Sequence, residues 1–420
     1  MPLLASSSKI DTAVPSPLTS VHVRAWCVVH ACDSADEVPR LIDAQRAIGM
    51  KPYLLAAGRT GALAEVNASS GLNQRTASGS LLTAWNEVRE WRKLLTDPSL
   101  SAFELVHAHN FAAGMAAVRN CPVVVYDIDS FVESRATMER PGEFTWLARS
   151  FRVAEQFVIG RAGAIVVHSH CERDGVLERG GLQENLFQLP APLDPDWVEL
   201  LRYRKSAARD TGDPAEGVGF FAPDVCLREE DGDALPPDAI QLLEAFALLR
   251  AEIQSARLFV QADSGCVQPL FDKARALGIT SNVHAISAED HEHALAEADV
   301  IIAVASAQAE NTVLTGLLKG RAVLAADAPP ARDASPEGRG VLWFRSGDLR
   351  DLAHRATFLA RNPDLRAALA ESGRRHLLET RAPEAVGRQY DVVYRHAFSR
   401  RRPGASAGTG MNLQPLVACF

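Results

Sequence analysis

The chain predicts two doubly wound α/β domains in series, and three observations carry that reading. At 420 residues it exceeds the length at which one core keeps growing. Short apolar, β-branched runs without polar alternation recur along it, as in strands buried on both faces of a parallel sheet. Stretches of helical spacing separate them, and the alternation breaks at a polar, proline-rich stretch near the middle before starting again.

Residues 1–18 read as a disordered leader, and Val21–His30 as a buried strand with Trp26 in its middle. Glu37–Gly49 sets Val38, Leu41, Ile42 and Ile48 on one side of a helix that stops at Gly49; Tyr53–Ala57 is the next strand. Strand, helix and strand make a βαβ unit with a right-handed crossover. Its first loop, His30–Asp36, has no glycine, and Asp33 and Asp36 suit a helix cap better than a phosphate neighbour.

Ser80–Leu95 follows as a helix and Leu105–His107 as a short strand, ending in His107, His109 and Asn110. Pro122–Ile128 is a strand ending in Asp127, Asp129 and Ser130. Imidazoles and carboxylates thus collect at two neighbouring strand ends, where open parallel sheets bind ligands. His107 and His109 are read as facing opposite sides of their strand, so no metal shared between them is expected. Phe144–Val158 (helix), Ala164–Val167 (strand), Glu172–Gly180 (helix) and Leu186–Leu189 (strand) complete a first domain over 19–195. The linker is placed at 196–216.

The second domain, 217–380, alternates strand Gly217–Phe221, helix Ala239–Ile253, strand Arg257–Gln261, helix Val267–Leu277, strand Val283–Ile286 and helix Ala288–Ala296. Its clearest unit is Asp299–Asp327. There Val300–Val304 is a strand, Ser306–Asn311 a polar loop, and Val313, Leu314, Leu317 and Leu318 recur at helical spacing up to Lys319 and Gly320. Ala322–Ala326 opens the next strand. The loop places Ser306, Gln308, Glu310 and Asn311 beside a helix N-terminus whose N–H groups, at Asn311 and Thr312, suit a diphosphate. The plainer alternative is that Ser306 and Asn311 only turn and cap the chain. A helix over Leu349–Leu359 follows, then a last helix over Pro383–Phe398 within 381–400, and a disordered tail over 401–420.

Composition narrows the function. A net charge of −8 and a pI near 5.9 exclude a general nucleic-acid binder, which needs a basic face. With no signal-peptide pattern and no apolar run of membrane-spanning length, a cytoplasmic protein is expected. Arg400–Arg402 offers a peripheral contact with anionic lipid, against the simpler reading of a solvated tail. The seven cysteines, at 27, 32, 121, 171, 226, 266 and 419, are scattered and read as free thiols, not as a disulfide framework or zinc site.

From about residue 20 to 400 the chain resembles the family-4 retaining glycosyltransferases. The resemblance rests on the order and spacing of ELVHAHN at 104–110, AIVVHSHCERDGV at 164–176, QLPAPLDPDWV at 188–198 and LLEAFALLRAEIQSARLFVQADSG at 242–265, continuing through GRAVLAAD. It implies the GT-B fold, two Rossmann-like domains facing a cleft. It further implies a nucleotide-sugar donor on the second domain, a glycan, lipid-linked or small-molecule acceptor on the first, a last helix crossing back, and no cofactor beyond the donor substrate.

Three departures fall on the family's ligand positions. Counting back from Gly320 puts Thr315 and Ala307 where the family has two glutamates, leaving Glu310 to stand in for the first only if the loop is re-spaced. Where a basic pair grips the diphosphate, Arg228 is the single cation among six carboxylates. Where a histidine contacts the sugar, the chain has Asp127 and Asp129. The resemblance therefore implies His109, Asp127, Asp129 and Glu310 as catalytic residues. It implies Arg228, Ser306, Asn311, Thr312 and Thr315 as donor contacts, with Lys319 farther from the phosphate. The alternative is a non-catalytic relative that partners or stabilises another glycosyltransferase; an epimerase of the same fold is a third reading.

Overall fold

The computed structural model describes residues 27–31, 37–55, 81–96, 103–128, 130–131, 145–203, 217–227 and 235–400. Six strands, β1 (Cys27–Ala31), β2 (Lys51–Leu55), β3 (Leu105–Ala108), β4 (Val124–Ile128), β5 (Ala164–Val167) and β6 (Leu186–Gln188), form a parallel sheet in the order β2-β1-β3-β4-β5-β6. Six more, β7 (Gly219–Leu227), β8 (Arg257–Ala262), β9 (Val283–Ile286), β10 (Val300–Ala303), β11 (Ala322–Ala326) and β12 (Val341–Phe344), form a second in the order β12-β11-β10-β7-β8-β9. Strand order reverses between β1 and β3 in one sheet and between β7 and β10 in the other. These reversals open the crevices in which doubly wound sheets bind ligands.

Strands with no polar alternation are buried on both faces, as the apolar runs require. One face of the first sheet packs on helices that include Leu81–Leu95, Phe111–Asn120 and Thr145–Ile159, around the fully buried Trp91. The other face receives Val386, Tyr390, Val393, Tyr394 and Ala397 of the last helix, Pro383–Ser399, which returns from the second domain to do so. The fit is close, for a Cβ on Gly387 would lie 2.4 Å from the Ala44 carbonyl oxygen and one on Gly163 would lie 3.0 Å from that of Ala397.

Several elements depart from the sequence reading. Phe111–Asn120 is a helix, capped by the Asn110 side chain, which accepts from the Ala113 N–H at 2.7 Å. Its Ala/Gly-rich stretch is buried almost throughout and shows no helical contrast between faces, so periodicity missed it. Within the expected linker, Pro195–Tyr203 is helical and Leu201 sits in the second domain's core; residues 204–216 lie outside the described set. Helices Pro329–Ala334 and Pro363–Thr380, and strand β12, were also absent from the sequence reading. No helix among the described residues is long and apolar enough to cross a membrane. Arg400 pairs with Glu184; Arg401 and Arg402 lie outside the described residues.

Gly387→Ala is expected to push the last helix off Ala44 and cost about 1–3 kcal/mol, the usual penalty for overpacking. Urea denaturation measures it, and a loss under about 0.5 kcal/mol, the scale of a neutral surface change, would contradict this packing.

Candidate functional site

The first polar cluster forms at the switch point of the first sheet. His30 on β1 stands in register with His107 on β3, and the His109 N–H bonds the Ala31 carbonyl at 3.0 Å. Asp127, at the end of β4, is buried among them. Its Oδ1 lies 2.9 Å from His168 Nε2, and its Oδ2 lies 3.2 Å from His107 Nε2, 3.4 Å from His109 Nδ1 and 3.4 Å from the Tyr390 hydroxyl. His168 follows β5 and holds its orientation through Nδ1, 2.9 Å from the Leu189 carbonyl oxygen. Since a carbonyl only accepts, Nδ1 carries a hydrogen, and one further proton must lie between His168 Nε2 and Asp127.

Behind the carboxylate the contacts close into a ring. His109 Nε2 lies 2.9 Å from His30 Nδ1, and His30 Nε2 lies 2.9 Å from Gln45 Oε1. Gln45 Nε2 donates to the Tyr394 hydroxyl at 2.7 Å, which in turn lies 3.0 Å from His107 Nδ1. Gln45 comes from the first helix, Glu37–Ala47, and Tyr394 from the last. Both ends of the chain thus lock the same cluster.

Burial acts on every member and partners decide the outcome. Burial alone would raise the Asp127 carboxyl, but the His168 charge and the close contacts of His107, His109 and His168 outweigh it and hold Asp127 well below the usual carboxylate range. Burial would lower His168, and Asp127 overrides it, pushing His168 up to about 10. Asp127 also pulls His107 up, but burial and then the neighbouring His109 outweigh it, and His107 falls to about 4. His30 is likewise lowered by burial and by both neighbouring imidazoles, while burial raises the Tyr394 phenol.

This geometry corrects the expectation that His107 and His109 face opposite sides. Residues two apart in a strand share a face, and the two rings lie 4.2 Å apart. Nitrogens of His30, His107 and His109 all lie within 4.8 Å of one another, a spacing a metal could use. The 2.9 Å separation of His30 Nδ1 and His109 Nε2 is nevertheless that of a hydrogen bond. Two nitrogens on one tetrahedral zinc, each at about 2.0–2.1 Å, would stand roughly 3.3 Å apart.

The second cluster lies at the switch point of the other sheet. Asp224 sits where β7 shifts register between Phe221 and Cys226, and its Oδ2 accepts from the Val304 N–H and the Ser306 hydroxyl, each at 3.0 Å. Ser306, expected to touch the donor, therefore spends its hydrogen on Asp224. Burial pushes that carboxyl up to about 7, so much of its charge is lost near neutrality. This softens the acidic character read at 222–241.

The next helix spans Ala309–Leu318, two residues ahead of the expected Asn311 start. As a correction, the Thr312 N–H is already bonded to the Gln308 carbonyl at 3.0 Å, so the first-turn donors are those of Glu310 and Asn311. Thr312 is buried, Thr315 half-buried and Asn311 exposed. Glu310 is half-buried and pairs at 3.2 Å with the buried Arg381; burial raises its carboxyl, and both Arg381 and His168 of the first domain pull it back. Lys319 bonds Glu292 at 2.6 Å at the helix's far end, away from this loop. Asp129 and Arg228 lie outside the described residues.

The two domains meet beside these clusters. Asp333 accepts from the His170 N–H at 3.1 Å and the Gln188 amide at 2.7 Å, and pairs with the His170 ring. Sequence reasoning missed His30, Gln45, His168, Asp224, Arg381 and Tyr394. The two histidines at strand ends carried a signal of the kind read at His107; the other four sit on elements whose neighbours only the fold supplies.

Residues 27–192 match the family described as Glycosyl transferase 4-like domain. A glycosyltransferase from Rickettsia africae superposes with a TM-score of 0.57 at 11% identity, covering 89% of this chain and 98% of its own. Over its first domain the chain is therefore similar to this family, and over its whole length the likeness is one of fold. Sucrose-phosphate synthase from Thermosynechococcus elongatus (TM-score 0.52, 14% identity, 89% and 99% covered) shares the GT-B fold. So does Anabaena HepE in complex with UDP (0.50, 13%, 86% and 98%). No curated protein matches the chain by sequence.

His168 keeps its proton in the folded chain up to about 10 and releases it near 6.5 when unfolded. Its pair with Asp127 therefore stabilises fully below about 6.5, and less as pH climbs towards 10. His168→Gln should cost about 1.5–3 kcal/mol at pH 6 and much less at pH 10, by urea denaturation at both values. A pH-independent difference would contradict the ion pair.

Proposed function

We propose that this protein transfers a sugar from a nucleotide-sugar donor, held by the second domain, to an acceptor on the first, with retention at the anomeric carbon. The observation that carries this reading is that a polar cluster stands at the switch point of each sheet, with Glu310 of one domain within electrostatic reach of His168 of the other. The family match over the first domain supports a transferase, and HepE, solved with UDP, makes UDP-sugars the first donors to try.

Transfer must stabilise a departing diphosphate and a positive charge developing on the sugar. The free N–H groups of Glu310 and Asn311 and the positive end of their helix would serve the diphosphate. Thr315 would lie one turn behind them. Asp224, pushed up to about 7 by burial and so only partly ionised near neutrality, would repel the phosphate less than a fully ionised carboxylate. Arg381 would orient Glu310 towards a sugar hydroxyl, and Asp127, His109 and His168 would line the acceptor side. Asp129 and Arg228 keep their proposed contacts with sugar and diphosphate.

Calorimetry with nucleotide sugars tests the donor site. Asn311→Pro deletes one N–H at a first-turn position where proline is tolerated, and should weaken binding roughly ten- to a hundred-fold while the chain stays native by circular dichroism. Glu310→Gln should lose part of that affinity. Unchanged affinity in a folded Asn311→Pro variant would remove the helix N-terminus from the donor site.

A further inference from the structure

We infer that His107 Nε2, His109 Nδ1 and Asp127 Oδ2 form a binding site for one divalent transition-metal ion, with zinc the ion they suit. His107 and His109 share a face of the sheet, and Asp127 stands on the neighbouring strand. From Asp127 Oδ2, His107 Nε2 lies 3.2 Å away and His109 Nδ1 3.4 Å. Ligands held at about 2.0–2.1 Å on a tetrahedral zinc stand roughly 3.3 Å apart, so both spacings fit a shared ion. Two imidazoles and a carboxylate are a donor set that zinc and its first-row neighbours accept.

The hydrogen bonding singles out the same atoms. Among the described residues His107 Nε2 has no hydrogen-bond partner, although the side chain is fully buried. A buried nitrogen left beside a carboxylate in this way is costly unless something bridges the two. His109 reaches the same state from behind. Gln45 donates to the Tyr394 hydroxyl, so its oxygen takes the Nε2 hydrogen of His30. His30 Nδ1 is then a bare acceptor for the His109 Nε2 hydrogen at 2.9 Å, and a neutral His109 keeps a lone pair on Nδ1, facing Asp127. With its Nδ1 hydrogen given to the Tyr394 oxygen at 3.0 Å, His107 bares Nε2 as well.

These outer contacts are the kind that orient metal ligands. The second nitrogen of each imidazole has a fixed acceptor, in His30 and Tyr394, and His168 holds the other Asp127 oxygen at 2.9 Å. His30 belongs to this outer layer, because its 2.9 Å contact with His109 is a hydrogen bond. Three protein ligands leave one position of a tetrahedral ion for water or a substrate hydroxyl. Use of that position in sugar transfer rests on the function proposed above; metal binding does not.

The test is zinc titration of the full chain after chelator treatment, read by calorimetry and by thermal melting. Expected is one tightly held zinc per chain and a Tm that rises with zinc. His109→Gln and Asp127→Asn should abolish that site, and His30→Gln, which removes an outer hydrogen bond, should weaken it roughly ten- to a hundred-fold. X-ray absorption of the zinc-loaded wild type should show only nitrogen and oxygen at about 2.0–2.1 Å, with scattering from two imidazoles. No retained zinc, a sulfur ligand from a cysteine, or a folded Asp127→Asn variant of wild-type affinity would overturn the inference. If the variants do not fold, the wild-type absorption spectrum decides alone. Zinc held here by a chain that consumes no nucleotide sugar would refute the transferase reading and leave the site standing.

Discussion

The buried carboxylate of Asp127 is the constraint on which the first domain's polar interior depends. An ionised carboxylate removed from water is tolerable only when partners replace its hydration. Here the replacement comes from β3, from the end of β5 and from the last helix, through His107, His109, His168 and Tyr390. The first helix joins through Gln45. Elements hundreds of residues apart in the chain are thus held to one charge.

That arrangement explains why the last helix must return across the cleft. Val386, Val393 and Ala397 fill an apolar face of the first sheet, while Tyr390 and Tyr394 deliver hydroxyls to the cluster. Apolar burial supplies the affinity of that docking and the hydroxyls fix its register. The second domain has a counterpart in Asp224, which ties the bulged β7 to the loop after β10 and turns Ser306 inward. Both clusters sit where the strand order reverses. The chemistry available to the cleft is therefore set by what the two switch points present.

Much of this was legible in the sequence. Strands buried on both faces declare themselves as short apolar runs, and β5, β9 and β11 have the bounds read from them. Asp127 and His109 were legible too, because polar residues at the end of an apolar strand stand out. What periodicity could not carry were elements without contrast, such as the Ala/Gly-rich helix Phe111–Asn120. Roles set by distant partners were equally hidden. Tyr394 is one aromatic among apolar helix positions until the fold places it beside His107 and Gln45, and Ser306 reads as a ligand contact until Asp224 is found beneath it.

The central claim is that this cleft uses a nucleotide sugar. The most direct measurement is proton NMR of the protein incubated with a panel of nucleotide sugars, beginning with UDP-sugars, with and without glycan or lipid-linked acceptors. The account predicts consumption of one donor, release of its nucleotide, and a first-formed sugar product with the donor's own anomeric configuration. A folded protein that leaves every donor intact and unbound at millimolar concentration would contradict it, and an inverted product would contradict the retaining mechanism alone.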